Sequence, residues 1–193
     1  MNDTGVRKSK AFNKYRTVIL IVSRFYSLFP KSVLKRMLNF HRNTSGNIGY
    51  GIRYCIMKNL AISWGENVAI DVGVFFFNPD KMSFGNNVSI NPMTYLSGIG
   101  GLTIGNDVSI AHRVTIMTAT HNYEDISIPI KKQGIKIKPV HIGDNVWIGA
   151  GVTVVAGKSI GSGTIIGANS LVTKDIPKNE IWGGVPAKHL RKR

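Results

Sequence analysis

From Ile142 onward an aliphatic residue returns at every sixth position, as Ile142, Ile148, Val154, Ile160, Ile166 and Val172, with small and polar residues filling the steps between. A helix repeats at about 3.6 residues and a strand at about two, so this step marks an internal repeat rather than one element. The pattern runs backwards in larger blocks. Trp64-Gly65-Glu66-Asn67-Val68, Phe84-Gly85-Asn86-Asn87-Val88 and Ile104-Gly105-Asn106-Asp107-Val108 are copies of Ile142-Gly143-Asp144-Asn145-Val146. Inside the blocks the step continues through 64, 70, 76, then 84, 90, 96, then 104, 110, 116. Three steps per block suit a triangular coil, with one short strand and one inward aliphatic residue per side. The Gly, Asn and Asp that follow tolerate the left-handed backbone of a corner. A single coil cannot bury its aliphatics alone, so the coils must stack. A β-sandwich would need alternating strands and hairpin turns instead of a held phase.

The prediction is an all-β solenoid, and the chain divides around it. Residues 64–176 form the solenoid and 43–63 a connector, while 1–42 and 177–193 are basic ends. Residues 1–42 carry ten Lys/Arg against Asp3, and Lys188, Arg191, Lys192 and Arg193 add four more positive charges at the other end. Of the total charge of +15, only +2 is left for everything between. Tyr15, Val18, Ile19, Val22, Phe25, Tyr26 and Phe29 fall at helical spacing, and Pro30 suits the start of a second helix carrying Val33, Leu34, Met37 and Leu38. Two readings stay open for this segment: a helical cap over the first coil, or a peripheral contact with anionic lipid. No aromatic-basic interleaving or zinc motif supports nucleic-acid binding. Cys55 is the only cysteine, which excludes an intrachain disulfide and fits a reducing compartment. No signal peptide is visible, and the longest apolar run, Val18 to Val22, is too short to span a bilayer. The expected location is the cytoplasm, with the inner face of the membrane as the alternative that residues 1–42 raise.

The phase breaks after Ile116 and resumes at Ile142, so about eighteen residues protrude as a loop spanning roughly 119–140. Its root reads Thr118-Ala119-Thr120-His121-Asn122-Tyr123. A long loop on a rigid scaffold is a functional candidate. Its apolar and basic residues, Ile126, Pro129, Ile130, Lys131 and Lys132, suit a flap over a neighbouring subunit.

These features, with the closing phrase Ile166-Gly167-Ala168-Asn169-Ser170-Leu171-Val172-Thr173-Lys174-Asp175-Ile176-Pro177 and the later Gly183-Gly184-Val185-Pro186-Ala187-Lys188, resemble the bacterial hexapeptide-repeat acetyltransferases. The resemblance covers roughly residues 60–190 and is nearest to the sugar and polysaccharide O-acetyltransferases of the maltose and galactoside type. It implies a left-handed parallel β-helix, a hand that the spacing alone does not provide. It also implies acetyl-CoA as acyl donor, no metal requirement, and a homotrimer with sites between subunits.

His121 matches the family's catalytic histidine, which takes the proton of the attacking hydroxyl with no acyl-enzyme. A neutral imidazole is a base suited to neutral pH. His41 and His189 lie in the basic ends, and His112 and His141 lie within the coils. Asn91 matches an asparagine that contacts the acceptor sugar, and it reads equally as a corner support. Trp147 matches an aromatic lining the site near the acyl group, or packs on the solenoid exterior between subunits. Gly149, Ala150, Gly167 and Ala168 match small positions along the pantetheine arm. Thr173, Lys174 and Arg191 resemble groups near the nucleotide end of coenzyme A, where positive charge suits phosphate. Lys174 reads also as a solvated surface lysine.

The chain departs from the maltose and galactoside enzymes in lacking an acidic contact in its N-terminal segment, and Ser97-Gly98-Ile99 stands where an aspartate is expected. The resemblance therefore implies a hydroxyl on a different sugar or on a surface-polysaccharide precursor. The alternatives are a sugar-nucleotide N-acetyltransferase, a small-molecule acetyltransferase acting on an antibiotic or serine, and a non-catalytic β-helix scaffold. The loop-root histidine argues against the last.

Overall fold

In the computed structural model, which describes residues 4–193 with side chains at Phe12 and from Lys14 onward, the repeated blocks stack as coils of a three-sided parallel solenoid. Residues 1–3 of the basic segment, Asp3 among them, lie outside the described residues. The first face contains Ser63–Trp64, Met82–Phe84, Leu102–Ile104, Val140–Ile142 and Ser159–Ile160. The second runs from Ala69–Ile70 through Ser89–Ile90, Ser109–Ile110, Trp147–Ile148 and Ile165–Ile166. The third contains Phe75–Phe77, Tyr95–Ser97, Thr115–Ile116, Thr153–Val154 and Leu171–Val172. Phase survives the interruption, because Ile104 pairs with Ile142 across it, and Ile142 with Ile160.

Each side of most coils buries two residues, where one was expected. The residue of the six-step and the one two positions earlier both point inward, as in Val68 with Ile70, Val108 with Ile110 and Val146 with Ile148. Strand side chains alternate faces, so these two share the inner side. At Thr94, Thr164 and Ser170 the second place is polar and buried. Each hydroxyl there donates to a main-chain carbonyl, of Ala111, Pro177 and Gly167 respectively, as buried polar groups must.

The corners also separate two jobs that the sequence motif runs together. The left-handed residue stands three places after the inward one, with φ of 55° at Asn67, 57° at Asn87, 56° at Asp107 and 55° at Asn145. The glycine immediately after the inward residue serves close approach between coils. A Cβ on Gly85 would lie 2.7 Å from the Gly105 carbonyl carbon. Between these two positions sits a side-chain ladder. The Glu66 N–H donates to Asn86 Oδ1 at 2.8 Å, the Asn86 N–H to Asn106 Oδ1 at 2.9 Å and the Asn106 N–H to Asp144 Oδ1 at 2.7 Å.

Three helices precede the coils: α1 (Thr4–Tyr26), α2 (Lys31–Phe40) and α3 (Gly46–Leu60). The segment read as a connector thus contains α3, and α3 rather than the first two helices covers the open coil. Its Ile56, Met57 and Leu60 are fully buried, and the Tyr54 hydroxyl donates to the Gly65 carbonyl at 3.1 Å. Helices α1 and α2 pack on α3. Gly46, Gly49 and Gly51 lower the helix signal of this stretch. Gly49 has a packing reason, because a Cβ there would collide with the Thr44 carbonyl. Arg53 ties the cap to the solenoid. It is buried, its Nε donates to Ile70 O at 3.0 Å, and its Nη1 donates to His41 O at 3.0 Å and Thr44 O at 2.6 Å. Burial pulls its pKa below the ordinary guanidinium value, opposed by Asp71.

At the far end, the stretch read as a basic tail is structured. Glu180–Gly183 adds in parallel to Ile165–Ile166 on the second face, and Lys188–Lys192 turns back antiparallel beside it.

Candidate active site at the interrupted coil

The interruption is an arm rooted at the corner between the third and first faces. Ala119–His121 and Ile135–Ile137 form its antiparallel stem, with His121 opposite Ile135. The stem is anchored by one buried group. Thr118 is fully buried, and its Oγ1 donates to Ser97 O at 3.1 Å and accepts from the Gly100 N–H at 3.0 Å. Ser97 Oγ lies 3.2 Å from the same oxygen and is itself buried. The Thr118 carbonyl accepts from the Lys138 N–H at 3.0 Å, closing the base of the arm. Ser97, a departure from the family pattern in the sequence, is a structural partner of the arm. A buried hydroxyl pair fixes the direction in which the next three residues leave the coil.

Beyond the stem, Asn122 Nδ2 donates to Gln133 O at 3.0 Å, and Gln133 Nε2 donates to Asp125 O and Ile128 O, each at 2.7 Å. Ser127 holds Asp125 through its N–H and hydroxyl, which keeps the Asp125 carboxyl below its ordinary pKa. The tip is therefore internally bonded, while Tyr123, Ile126, Ile130 and Ile135 face outward. His121 is exposed on this rigid stem.

The other candidate residues divide between corners. Thr173 and Lys174 follow Leu171–Val172, which places them on the same corner as the arm, two coils further on. Asn91, Gly149, Ala150, Gly167 and Ala168 all lie on the corner between the second and third faces. Along that corner a Cβ on Gly149 would sit 2.7 Å from the Ala168 nitrogen, so this glycine serves coil stacking whatever else it does. Asn91 Nδ2 donates to Ile110 O at 2.9 Å, the geometry of a corner support. Trp147 points outward from the second face and is 54% exposed. It borders a hollow of about 280 Å³ with Asp107, Ser109, Asn145, Ile165 and Arg193. Arg191 lies in Lys188–Lys192 at the edge of the same face. Within one chain the arm corner holds His121, Thr173 and Lys174, and the corner with the small residues lies a whole face away.

Cys55 is buried under α1, donating to Ile19 O at 3.4 Å, and burial pushes its thiol up to about 11. A thiol held protonated and out of solvent is a poor nucleophile. Among the described residues, no group of three or more His, Cys, Asp or Glu is placed to hold a metal ion. The residues missed by sequence reading are Thr118 and Gly100. Their signal was present in the Thr that immediately precedes the loop and the Gly-rich run facing it.

Residues 139–174 match the family model described as bacterial transferase hexapeptide (six repeats). A maltose O-acetyltransferase from Clostridium difficile superposes with a TM-score of 0.74 at 30% identity, over 84% of this chain and 85% of that one. A galactoside acetyltransferase in complex with coenzyme A does so with a TM-score of 0.74 at 30% identity, over 84% of this chain and 80% of that one. The acetyltransferase-like protein YJL218W of Saccharomyces cerevisiae is 36% identical over 84 residues, which are 43% of this chain. That match spans only 41% of the yeast protein's own length. The repeat, the stacked coils and these likenesses agree, and the chain belongs to the bacterial hexapeptide-repeat transferases, with their left-handed parallel β-helix.

Proposed function

We propose that the protein transfers an acetyl group from acetyl-CoA to a hydroxyl of a sugar or surface-polysaccharide precursor. The observation that carries this reading is His121, exposed on a stem that a buried Thr118–Ser97 pair holds to the coil. It is joined by likeness along most of the chain to a maltose O-acetyltransferase and to a galactoside acetyltransferase that binds coenzyme A. In the proposed step, the acceptor oxygen attacks the thioester carbonyl carbon as a His121 ring nitrogen takes its proton. The tetrahedral oxyanion collapses, the carbon–sulfur bond breaks, and the leaving thiolate receives the proton from the imidazolium. No acyl-enzyme forms, in keeping with the buried, protonated Cys55.

The division of candidates between two corners supports a site assembled from two copies of the chain. One copy supplies the arm corner with His121, Thr173 and Lys174. The next supplies Asn91 and the small residues at Gly149, Ala150, Gly167 and Ala168, with Trp147 and Arg191 beside them. Outward-facing Ile126 and Ile130 give the arm an apolar surface to lay on that neighbour. Three-fold packing would complete three such sites.

The test is thiol release from acetyl-CoA across a panel of sugar and glycan acceptors, with wild type and His121→Ala. Acceptor-dependent release that the substitution abolishes supports the reading. Release that survives His121→Ala removes His121 from the mechanism, and no release with any acceptor supports a scaffold. Mild base then separates an O-acetyl ester, which it cleaves, from the amide of an N-transferase.

A further inference from the structure

Helix α1 has two apolar faces, and the fold uses only one. Phe12, Ile19, Ser23 and Tyr26 turn toward α3, where Asn59 Nδ2 donates to Ser23 O at 2.9 Å and Phe12 meets the Tyr54 ring at 5.2 Å. A second side, about 120° round the helix, carries Val18, Ile21, Val22 and Phe25, with Leu28 just past the end of the helix, and all are exposed. Ile21 is 65% exposed, Phe25 57% and Leu28 77%. A helix apolar on both sides expects a second covering. From Val18 to Phe25 the uncovered stripe runs for about 10 Å along the helix axis.

The surrounding charge identifies the cover. From Thr4 to Gly65 the chain contains no Asp or Glu and twelve Lys or Arg. Lys14 and Arg24 border the stripe on α1 and are exposed, and Lys31 and Arg36 are exposed on α2. Arg16 and Lys35 are already paired with Glu66 and Asp80 of the solenoid, which leaves the exposed Lys14, Arg24, Lys31 and Arg36 to meet their own copies in a second molecule, so self-association through this surface is disfavoured. An anionic bilayer supplies both an apolar layer and opposite charge. Beside Val18 the stripe also adjoins a mostly apolar recess of about 380 Å³ lined by Phe12, Tyr15, Ile19, Ile48 and Tyr54. Among the described residues, no helix is long and apolar enough to cross a membrane.

We propose that the outer face of α1 lies in the surface of an anionic bilayer, with Val18, Ile21, Val22, Phe25 and Leu28 among the acyl chains and Lys14 and Arg24 at the headgroups. Apolar insertion and basic attraction are the two contributions that hold such interfacial helices. This assignment is independent of the acetyl-transfer reading, because none of these residues belongs to the proposed site.

The experiment is co-sedimentation of the full chain with vesicles of phosphatidylcholine containing about 30% phosphatidylglycerol, against vesicles of phosphatidylcholine alone. Wild type is expected to bind the anionic vesicles, and Ile21→Glu/Phe25→Glu to bind them about tenfold more weakly or worse. Both substituted side chains face solvent, and circular dichroism checks that the fold is retained. Lys14→Gln/Arg24→Gln, which leaves the apolar stripe intact, is expected to weaken binding several-fold and to flatten its salt dependence. Wild type that ignores anionic vesicles overturns the proposal, as does a folded Ile21→Glu/Phe25→Glu variant that binds like wild type. Acetyl transfer to a soluble acceptor should be unchanged in both variants, so failure of membrane binding is distinguishable from failure of the proposed reaction.

Discussion

Two stretches of the solenoid are built from the same six-residue step and behave differently. Residues 142–176 run without interruption, and the backbone of each coil meets that of the next closely enough that Gly143, Gly149 and Gly161 leave no room for a Cβ. Such a stretch has rigidity but no place for a protruding group. In the coil that begins at Ile104 the same phase is held on both sides of an insertion, and there the chain leaves the stack. Thr118 and Ser97 replace aliphatic packing with a buried hydroxyl pair, and His121 emerges three residues later. Regular coils supply stiffness, and the exception uses that stiffness to hold one side chain in the open.

The sharpest way to break this contrast is to separate turnover from folding. His121→Ala should lower turnover by about two orders of magnitude or more while the urea midpoint stays at the wild-type value. Loss of stability along with activity would mean that the arm supports the coil rather than the coil the arm. Arg53→Met should do the opposite. By leaving the buried Ile70 carbonyl and the half-buried Thr44 carbonyl without this donor, and His41 O with only the Thr44 N–H, it should cost about 3 kcal/mol of unfolding free energy in urea titration.

Glycine substitutions sharpen the comparison further. In the stacked coils, Gly85→Ala places a methyl 2.7 Å from the carbonyl carbon of Gly105 and should cost about 1–3 kcal/mol. On the arm, Gly134→Ala meets nothing within 4 Å, and its φ of +79° leaves a cost of about 1 kcal/mol. A Gly134→Ala cost well above that backbone share would show that the arm is packed as tightly as the coils. Thr118→Val keeps the shape and removes the hydroxyl. Turnover should fall about tenfold as His121 loses its fixed direction, with the KM for acetyl-CoA little changed and a melting-temperature loss of a few degrees. A variant that loses melting temperature without losing turnover would make Thr118 a packing residue only.

Much of this was legible in the order of residues. The six-residue step located Ile142, Ile148 and Val154 in the core, and the phase break located the arm and its histidine. The step did not reveal that Val68, Val108 and Val146 point inward beside them, because a strand's alternation is hidden when only two or three residues lie on each side. Helix α3 was obscured by three glycines, one of which is required by contact with Thr44, a packing constraint that helix propensity does not record.

By itself the sequence determined the repeat, its length, the point where it fails and the charge asymmetry between ends and middle. These are properties of order along the chain, and a periodic pattern records them directly. Which residues the corners bring together across the interruption was decided by the tertiary structure. Coiling returns Lys174 to the corner of His121 from two coils away, places Asn91 and Gly149 on another, and turns Ser97 inward under the arm. The outer stripe of α1 likewise emerged only when α3 claimed the other apolar face. The physical reason is that burial is a property of what packs against a side chain, and in this molecule those partners are brought together by stacking rather than by nearness in sequence.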